Sequence, residues 1–233
     1  MKQTPEIAAS ESKAFLAGLP LFADLSESSL LHLARSSKFM QVEKGQAIFL
    51  QSDPADKFYL VRSGTISIVL ESMNGREMVI NEMAAGDFFG ELGVITNHAR
   101  STSAIARTDS DLLLIPRGSF LHILESEPVL ARRMLEVTAN RLRRSSERES
   151  ALAFLDAQAR LARLLLQLDQ QESEKGYITI SQEELAQRTG QTRQTVAKAL
   201  GRWRRNGWLI TGRGHILLLN QEALSQLEEE WFL

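Results

Sequence analysis

"SQEELAQRTGQTRQTVAKALGRWRRNGWLI", from Ser181 to Ile210, holds two short helical stretches with a glycine between them. Ser181 is followed three residues later by Glu184, the spacing of a capping box, which predicts the start of a helix. The first stretch breaks at Gly190, and Thr192 stands where it can cap a second helix. Counting from Gln182, the fifth position is Ala186, the ninth Gly190 and the fifteenth Val196. Two helices that cross steeply over a short turn need a small residue at the fifth position and tolerance of positive φ at the ninth. They also need a branched apolar side chain, turned inward, at the fifteenth. All three conditions are met. "WLITGRGHILLLN" (208–220) then reads as a hairpin with glycines at 212 and 214, so the module is a winged helix-turn-helix.

Charge along this stretch points to a partner. Lys or Arg occupies 188, 193, 198, 202, 204, 205 and 213 with no acid between, and Trp203 and Trp208 are interleaved. The formal net charge of the whole chain is -2, so the basic character is local. A solvated helix face mixes both signs, whereas an acid-free run is the footprint of a polyanion site. The competing reading is a winged helix that docks on protein.

Upstream the pattern changes twice. From Val129 to Phe154, apolar or small residues recur at 131, 135, 138, 142 and 152. Ser145 and Glu149 interrupt a 4-3 spacing that is otherwise that of a coiled coil. Such a narrow stripe, flanked by "RLRRSSERES", predicts pairing with a second copy, and packing on the chain's own sheet is the alternative. "ALAFLDAQARLARLLLQL" opens a further helix with Leu161, Leu164, Leu165 and Leu168 on its core face. Before all this, Phe39 to Pro116 alternates in short stretches. Ile66, Ile68 and Leu70 show period two, while Lys44-Gly45, Ser63-Gly64 and Asn74-Gly75 are placed as hairpin turns of a sandwich or roll. Residues 15 to 37 read as a helical entry segment.

Composition narrows the chemistry. The chain has 233 residues, 43% of them hydrophobic and 24% charged, which is ordinary for globular domains with buried cores. Without cysteine there is no disulfide, thiolate catalysis, Cys-ligated zinc or iron–sulfur cluster, and the four histidines (32, 98, 122, 215) have no metal-like spacing. No haem ligand pair is evident near the start. No apolar run is long enough for a membrane span, and "MKQTPEIAAS" lacks the layout of a secretory signal, so a cytoplasmic location is expected.

"GELGVITNHARSTSA" (90–104) sits inside the roll with Glu91 at one end and Arg100, Ser101 and Thr102 at the other. A carboxylate suits sugar hydroxyls, and a guanidinium with hydroxyls and loop amides suits phosphate, so together they describe a nucleotide site. A structural Glu91–Arg100 ion pair is the plain alternative. A phosphoester hydrolase using Glu91 and His98 as acid and base is a further one, though no metal ligands or activated nucleophile accompany the pair.

With those residues in view, nearly everything from Leu21 onward resembles the cyclic-AMP receptor protein/fumarate-nitrate reductase regulator (CRP/FNR) family of bacterial transcription factors. "FFGELGVITNHARSTSA" is similar to the phosphate-binding cassette of its cyclic-nucleotide members. The resemblance implies that Gly90, Glu91 and Leu92 open the site, with Glu91 on the ribose 2′-hydroxyl. It implies that Arg100 and Ser101 hold the cyclic phosphate, and Thr102 beside them is a further expected ligand-binding residue. "RLRRSSE" resembles the family segment whose two hydroxyl residues meet adenine across the dimer. That gives these roles to Ser145 and Ser146 and pairs Arg141 with Glu91. Serine replaces the family's threonine at the first of these positions, and "AFLD" (153–156) resembles the family's hinge. On the seam itself, a polar Ser145 costs coiled-coil stability unless something pairs with it, and a purine amine is such a partner.

The expected architecture is therefore α+β. A cyclic-nucleotide-binding, jelly-roll-like β-roll (15–128) leads into a long dimerisation helix (129–154) and a C-terminal winged helix-turn-helix (155–233). The expected effector is cAMP or another cyclic nucleotide, without metal, haem or iron–sulfur cluster. The expected partners are a second copy, a palindromic double-stranded operator with half-sites about 34 Å apart, and RNA polymerase, with no membrane. Among Thr192, Arg193, Gln194, Thr195, Lys198 and Arg202, Arg193 offers a fork to guanine, Gln194 an adenine or adaptable contact, and Lys198 a guanine or phosphate contact. The family's cyclic-AMP receptor has a glutamate and a later arginine where Gln194 and Lys198 stand, which shifts the preferred operator. A regulator that needs no effector, or one that takes a cyclic dinucleotide, is the alternative.

Overall fold

The computed structural model describes residues 5–72, 77–172 and 175–229. The chain divides into two compact units between Asn140 and Arg141.

The first unit opens with helices α1 (Pro5–Ala17) and α2 (Glu27–Ser36). Strands β1 (Lys38–Val42), β2 (Ala47–Phe49), β3 (Lys57–Ser63), β4 (Ile66–Glu71), β5 (Glu77–Met83) and β6 (Phe88–Phe89) follow. The short helix α3 (Glu91–Thr96), strands β7 (Ser103–Ala106) and β8 (Ser110–Pro116), and helix α4 (Arg117–Ser126) complete the roll. Helix α5 (Pro128–Phe154) runs on past the division. The strands form two four-stranded antiparallel sheets in the orders β1-β8-β3-β6 and β2-β7-β4-β5.

Strand β3 shows how the layers are built. Successive side chains of a strand point to opposite faces. Phe58 and Leu60 face a cluster under the helices with Leu16, Phe22, Leu33, Phe120 and Leu130, whereas Tyr59 and Val61 face the space between the sheets with Phe49, Ile66 and Phe89. Covered on both sides, the strand carries an unbroken apolar run instead of alternation.

Three expectations need correction. Residues 15 to 37 are not one helical segment: α1 ends at Ala17, turns run through Gly18-Leu19-Pro20, and Ser26 caps α2 by accepting from the Ser29 amide. Proline has no amide hydrogen to continue a helix, which is why the break falls there. Lys44-Gly45 and Ser63-Gly64 do not close hairpins. Each carries the chain from one sheet to the other, because β1 and β3 pair with β8 while β2 and β4 pair with β7. The face Ile66, Ile68, Leu70 is also interrupted: Val69 is buried (4% exposed) and Leu70 exposed (40%), beside the point where β5 carries an extra residue, Ile80, between the partners Asn81 and Val79. Asn74-Gly75 lies outside the described residues, although β4 and β5 pair antiparallel up to Glu71 and Glu77.

The second unit contains the end of α5, then α6 (Ala157–Gln171), β9 (Ile178–Thr179), α7 (Gln182–Thr189), α8 (Arg193–Arg205), β10 (Leu209–Thr211), β11 (His215–Leu218) and α9 (Gln221–Glu229). Asp156 caps α6 by accepting from the Ala159 amide, 2.7 Å. Leu161, Leu165, Leu168, Leu185, Val196, Leu200 and Trp203 form one core, and Leu164 is only partly buried against it. The hairpin β10–β11 has a third strand, β9, in the order β10-β11-β9. Neither β9 nor α9 is among the expected elements. Asn220, which accepts from the Ala223 amide, and the spacing of Leu224 and Leu227 are a legible start signal for α9.

Candidate functional site

The nucleotide-type loop begins where β6 ends. Gly90 has φ +80°, and a Cβ there would stand 2.6 Å from Arg100 Nη1 and 3.3 Å from the Tyr59 ring. Only glycine fits this left-handed, crowded position. It starts α3, whose first-turn amides have no carbonyl partner within the helix. Glu91, the first residue of α3, is buried.

Across the loop, Arg100 is anchored by its backbone: its amide donates to Asp53 O and its carbonyl accepts from the Ser52 amide, both at 2.9 Å. The side chain turns inward until the residue is 4% exposed. Nη1 donates to Gly90 O at 2.7 Å and Nη2 to Lys57 O at 2.6 Å, while Nε is buried with no hydrogen-bond partner. Burial pushes this guanidinium below its ordinary pKa, with Tyr59, Asp56 and Glu91 pulling the other way, and an arginine remains cationic throughout. Burial likewise pushes the Tyr59 phenol up. The two ends of the fifteen-residue motif are thus brought to one place by the strands, with a buried cation and a buried carboxylate in the same neighbourhood. Leu92, Ser101 and His98 are exposed and Thr102 is half-buried.

On α5, Leu130 and Met134 pack into the first unit's core, while Leu135 and Leu142, one heptad apart, are 69% and 67% exposed. Both leucines of the coiled-coil stripe are therefore exposed. Ser145 is half-buried on that stripe, and its Oγ donates to Glu149 Oε1 at a long 3.4 Å; Ser146 is exposed and Arg141 half-buried.

In the second unit the two-helix turn has its expected geometry. Ser181 Oγ accepts from the Glu184 amide, Gly190 adopts φ +67°, and Thr192 Oγ1 accepts from the Thr195 amide at 3.2 Å. Ala186 and Val196 are buried between the helices. Thr192 and Thr195 also share a 2.8 Å hydroxyl contact, so both hydroxyls serve the cap. Arg193, Gln194 and Lys198 are exposed along α8. Arg202 is exposed too, with its guanidinium 3.5 Å from Gln158 Oε1 on α6. Among the described residues no group of three or more His, Asp or Glu side chains could hold a metal. No helix among them is long and apolar enough to cross a membrane.

Comparison with known proteins identifies the domains. Residues 39–127 match a family model described as a cyclic nucleotide-binding domain, and residues 159–227 match a Crp-like helix-turn-helix domain. A CRP-like cAMP-activated global transcriptional regulator of Mycobacterium tuberculosis is 30% identical over 217 residues, covering 91% of this chain and 97% of that one. The chain belongs to the CRP/FNR family of transcription regulators. A CRP/FNR transcriptional regulator from Eubacterium rectale shares the fold, with TM-score 0.77 at 22% identity over 91% of this chain and 98% of its own. The c-di-GMP-responsive global regulator CLP of Xanthomonas campestris has TM-score 0.73 and 26% identity over 83% of this chain and 99% of its own.

Within the CRP/FNR frame, sequence reasoning finds Glu91 and Arg100 but misses what surrounds the arginine: Phe49, Tyr59 and the Lys57 carbonyl. Tyr59 and Lys57 are on β3 and Phe49 is on β2, which belong to different sheets. No spacing rule links them to residue 100.

Proposed function

We propose that this CRP/FNR regulator is a cytoplasmic homodimer that binds a palindromic operator under the control of a cyclic nucleotide, cAMP. In this reading residues 15–128 sense the effector, 129–154 pair the two copies, and 155–233 grip DNA, with RNA polymerase as a further partner. The observation that carries it is the buried Arg100 guanidinium with an unbonded Nε, beside Glu91 at the start of α3. The Nε atoms of Arg160 and Arg188 are buried without a bond as well, so what sets Arg100 apart is its place beside the buried Glu91 at the start of α3, where an anionic oxygen satisfies it. Gly90, Leu92, Ser101 and Thr102 supply amides and hydroxyls around the phosphate, and Glu91 accepts from the ribose. The Mycobacterium relative is described as cAMP-activated.

Ligand in the roll then reaches α5. Arg141 pairs with Glu91, and Ser145 and Ser146 meet the purine across the dimer, completing a polar stretch of an otherwise apolar seam. The exposed Leu135 and Leu142 supply the apolar part. Effector occupancy biases a two-state dimer, and moving the active fraction from 1% to 99% takes about 5.5 kcal/mol of differential binding. Replacing both Leu135 and Leu142 by Asp should give a monomer by light scattering that keeps its fold by circular dichroism. A dimer that persists would show that α5 is not the seam.

At the DNA, Arg193 forks to guanine, Gln194 reads adenine and Lys198 reaches guanine or phosphate, with Thr192, Thr195 and Arg202 beside the backbone. Arg193→Ala should lose about 1–3 kcal/mol on the preferred operator and relax selectivity at one base pair per half-site. Selection from random DNA checks this, and an unchanged consensus would count against the assignment.

Calorimetric titration with cAMP, cGMP and cyclic di-GMP tests the whole, run beside operator binding with and without each ligand. cAMP binding that raises operator affinity supports the reading. Response to cyclic di-GMP alone would move the chain to the behaviour described for the Xanthomonas neighbour.

A further inference from the structure

A guanidinium recognises an anion with directional N–H bonds, so its plane matters as much as its charge. In this chain the Arg100 plane rests on aromatic rings. Its Cζ lies 4.3 Å from the Phe49 ring centroid and 5.4 Å from that of Tyr59. Those rings are 5.5 Å apart, and Phe89 lies 5.9 Å from Phe49 and stacks on Tyr59 at 5.0 Å with 9° between planes. All three rings are buried in the core between the sheets. The shelf is therefore rigid, and no solvent-facing side chain has to be ordered to form it.

We infer that Phe49, assisted by Tyr59, is a positioning residue for the anionic effector, its ring face holding the Arg100 guanidinium in the plane in which Nη1 and Nη2 reach backbone carbonyls and Nε is left without a partner. The inference rests on the reading of this loop as an effector site. Two in-plane hydrogen bonds, to Gly90 O and Lys57 O, hold one edge of the guanidinium but resist tilting out of plane only weakly. A ring face beneath the cation opposes that tilt. The attraction comes from the negative potential of the π face and is strongest where water is excluded, as it is here. A cation held in one plane has less orientational freedom to lose on binding.

The test separates ring electronics from ring shape. Phe49→Tyr keeps the face, 3,4,5-trifluorophenylalanine at position 49 keeps the shape but drains the face, and Phe49→Leu removes the ring. Calorimetry with cAMP, cGMP and cyclic di-GMP reads affinity, and thermal melting reads fold. Phe49→Leu should weaken the bound ligand on the order of tenfold and the trifluoro variant by about threefold, with Phe49→Tyr close to the parent. If Phe49→Leu melts early, the shape-preserving trifluoro variant still decides. Full affinity in the trifluoro variant, or equal affinity in all variants, overturns the inference and leaves the proposed function standing. A parent protein that binds none of the three ligands overturns the proposed function and the inference with it.

Discussion

Arg100→Leu should weaken cyclic-nucleotide binding by about a hundredfold, as read by calorimetry at fixed ionic strength. A hydrogen bond to a charged group is worth roughly 1.5–3 kcal/mol, and each 1.4 kcal/mol is a factor of ten. In the proposed site the change removes the partner of the phosphodiester charge from a buried position, where water cannot substitute for it. The same change strands the carbonyls of Gly90 and Lys57, which now accept from Nη1 and Nη2. Leaving a buried acceptor unbonded costs about 1–3 kcal/mol, so the sensor unit's melting temperature should fall as well. Arg100→Lys separates the two effects. It keeps a cation but has no planar fork, and should recover part of the stability while recovering little affinity. Arg100→Leu protein that binds as tightly as the parent would remove this residue from the site.

Trp203→Ala should unfold the DNA-binding half at temperatures where the sensor half stays folded. Trp203 is 0% exposed, inside the core formed by α6, α7, α8 and the wing sheet. Its carbonyl also accepts from the Trp208 amide at 2.9 Å, fixing the turn into β10. Truncating a buried tryptophan costs about 3–5 kcal/mol, a large share of the 5–15 kcal/mol that holds a typical domain together. The first unit's cores share no residue with this one, so nucleotide affinity should be little changed while operator binding is lost. Since all three tryptophans lie beyond residue 200, tryptophan fluorescence, excited where tyrosine does not absorb, follows the second unit alone. An unchanged fluorescence transition in Trp203→Ala would contradict this account of the core.

How far the sequence can be read depends on the range of the interaction. The α7–α8 turn is legible to the residue: Ser181 and Thr192 cap, Gly190 turns left-handed, and Ala186 and Val196 pack, because each of these demands is met within a few residues. The stripe on α5 is legible for the same reason, as a period of seven on one helix. Lys44-Gly45 and Ser63-Gly64 mislead because a tight turn looks the same whether the next strand pairs with the last or leaves for the other sheet. Leu70 misleads because the irregularity beside it lies in the partner strand, where Ile80 is the extra residue of β5, and the period of β4 carries no sign of it.

By itself the chain's sequence determined the local devices: caps, turn glycines, helical and strand periods, the acid-free basic run and the Glu91–Arg100 motif. The tertiary structure alone decided that Arg100 turns inward onto Phe49 and Tyr59 with its terminal nitrogens on the carbonyls of residues 57 and 90. It also decided that Leu135 and Leu142 are exposed. Caps and periods arise from backbone geometry over one or two turns, which neighbouring residues specify. Which residue meets which across two sheets follows from strand pairing and bulges, and that pairing is selected by the packing of the whole core at once.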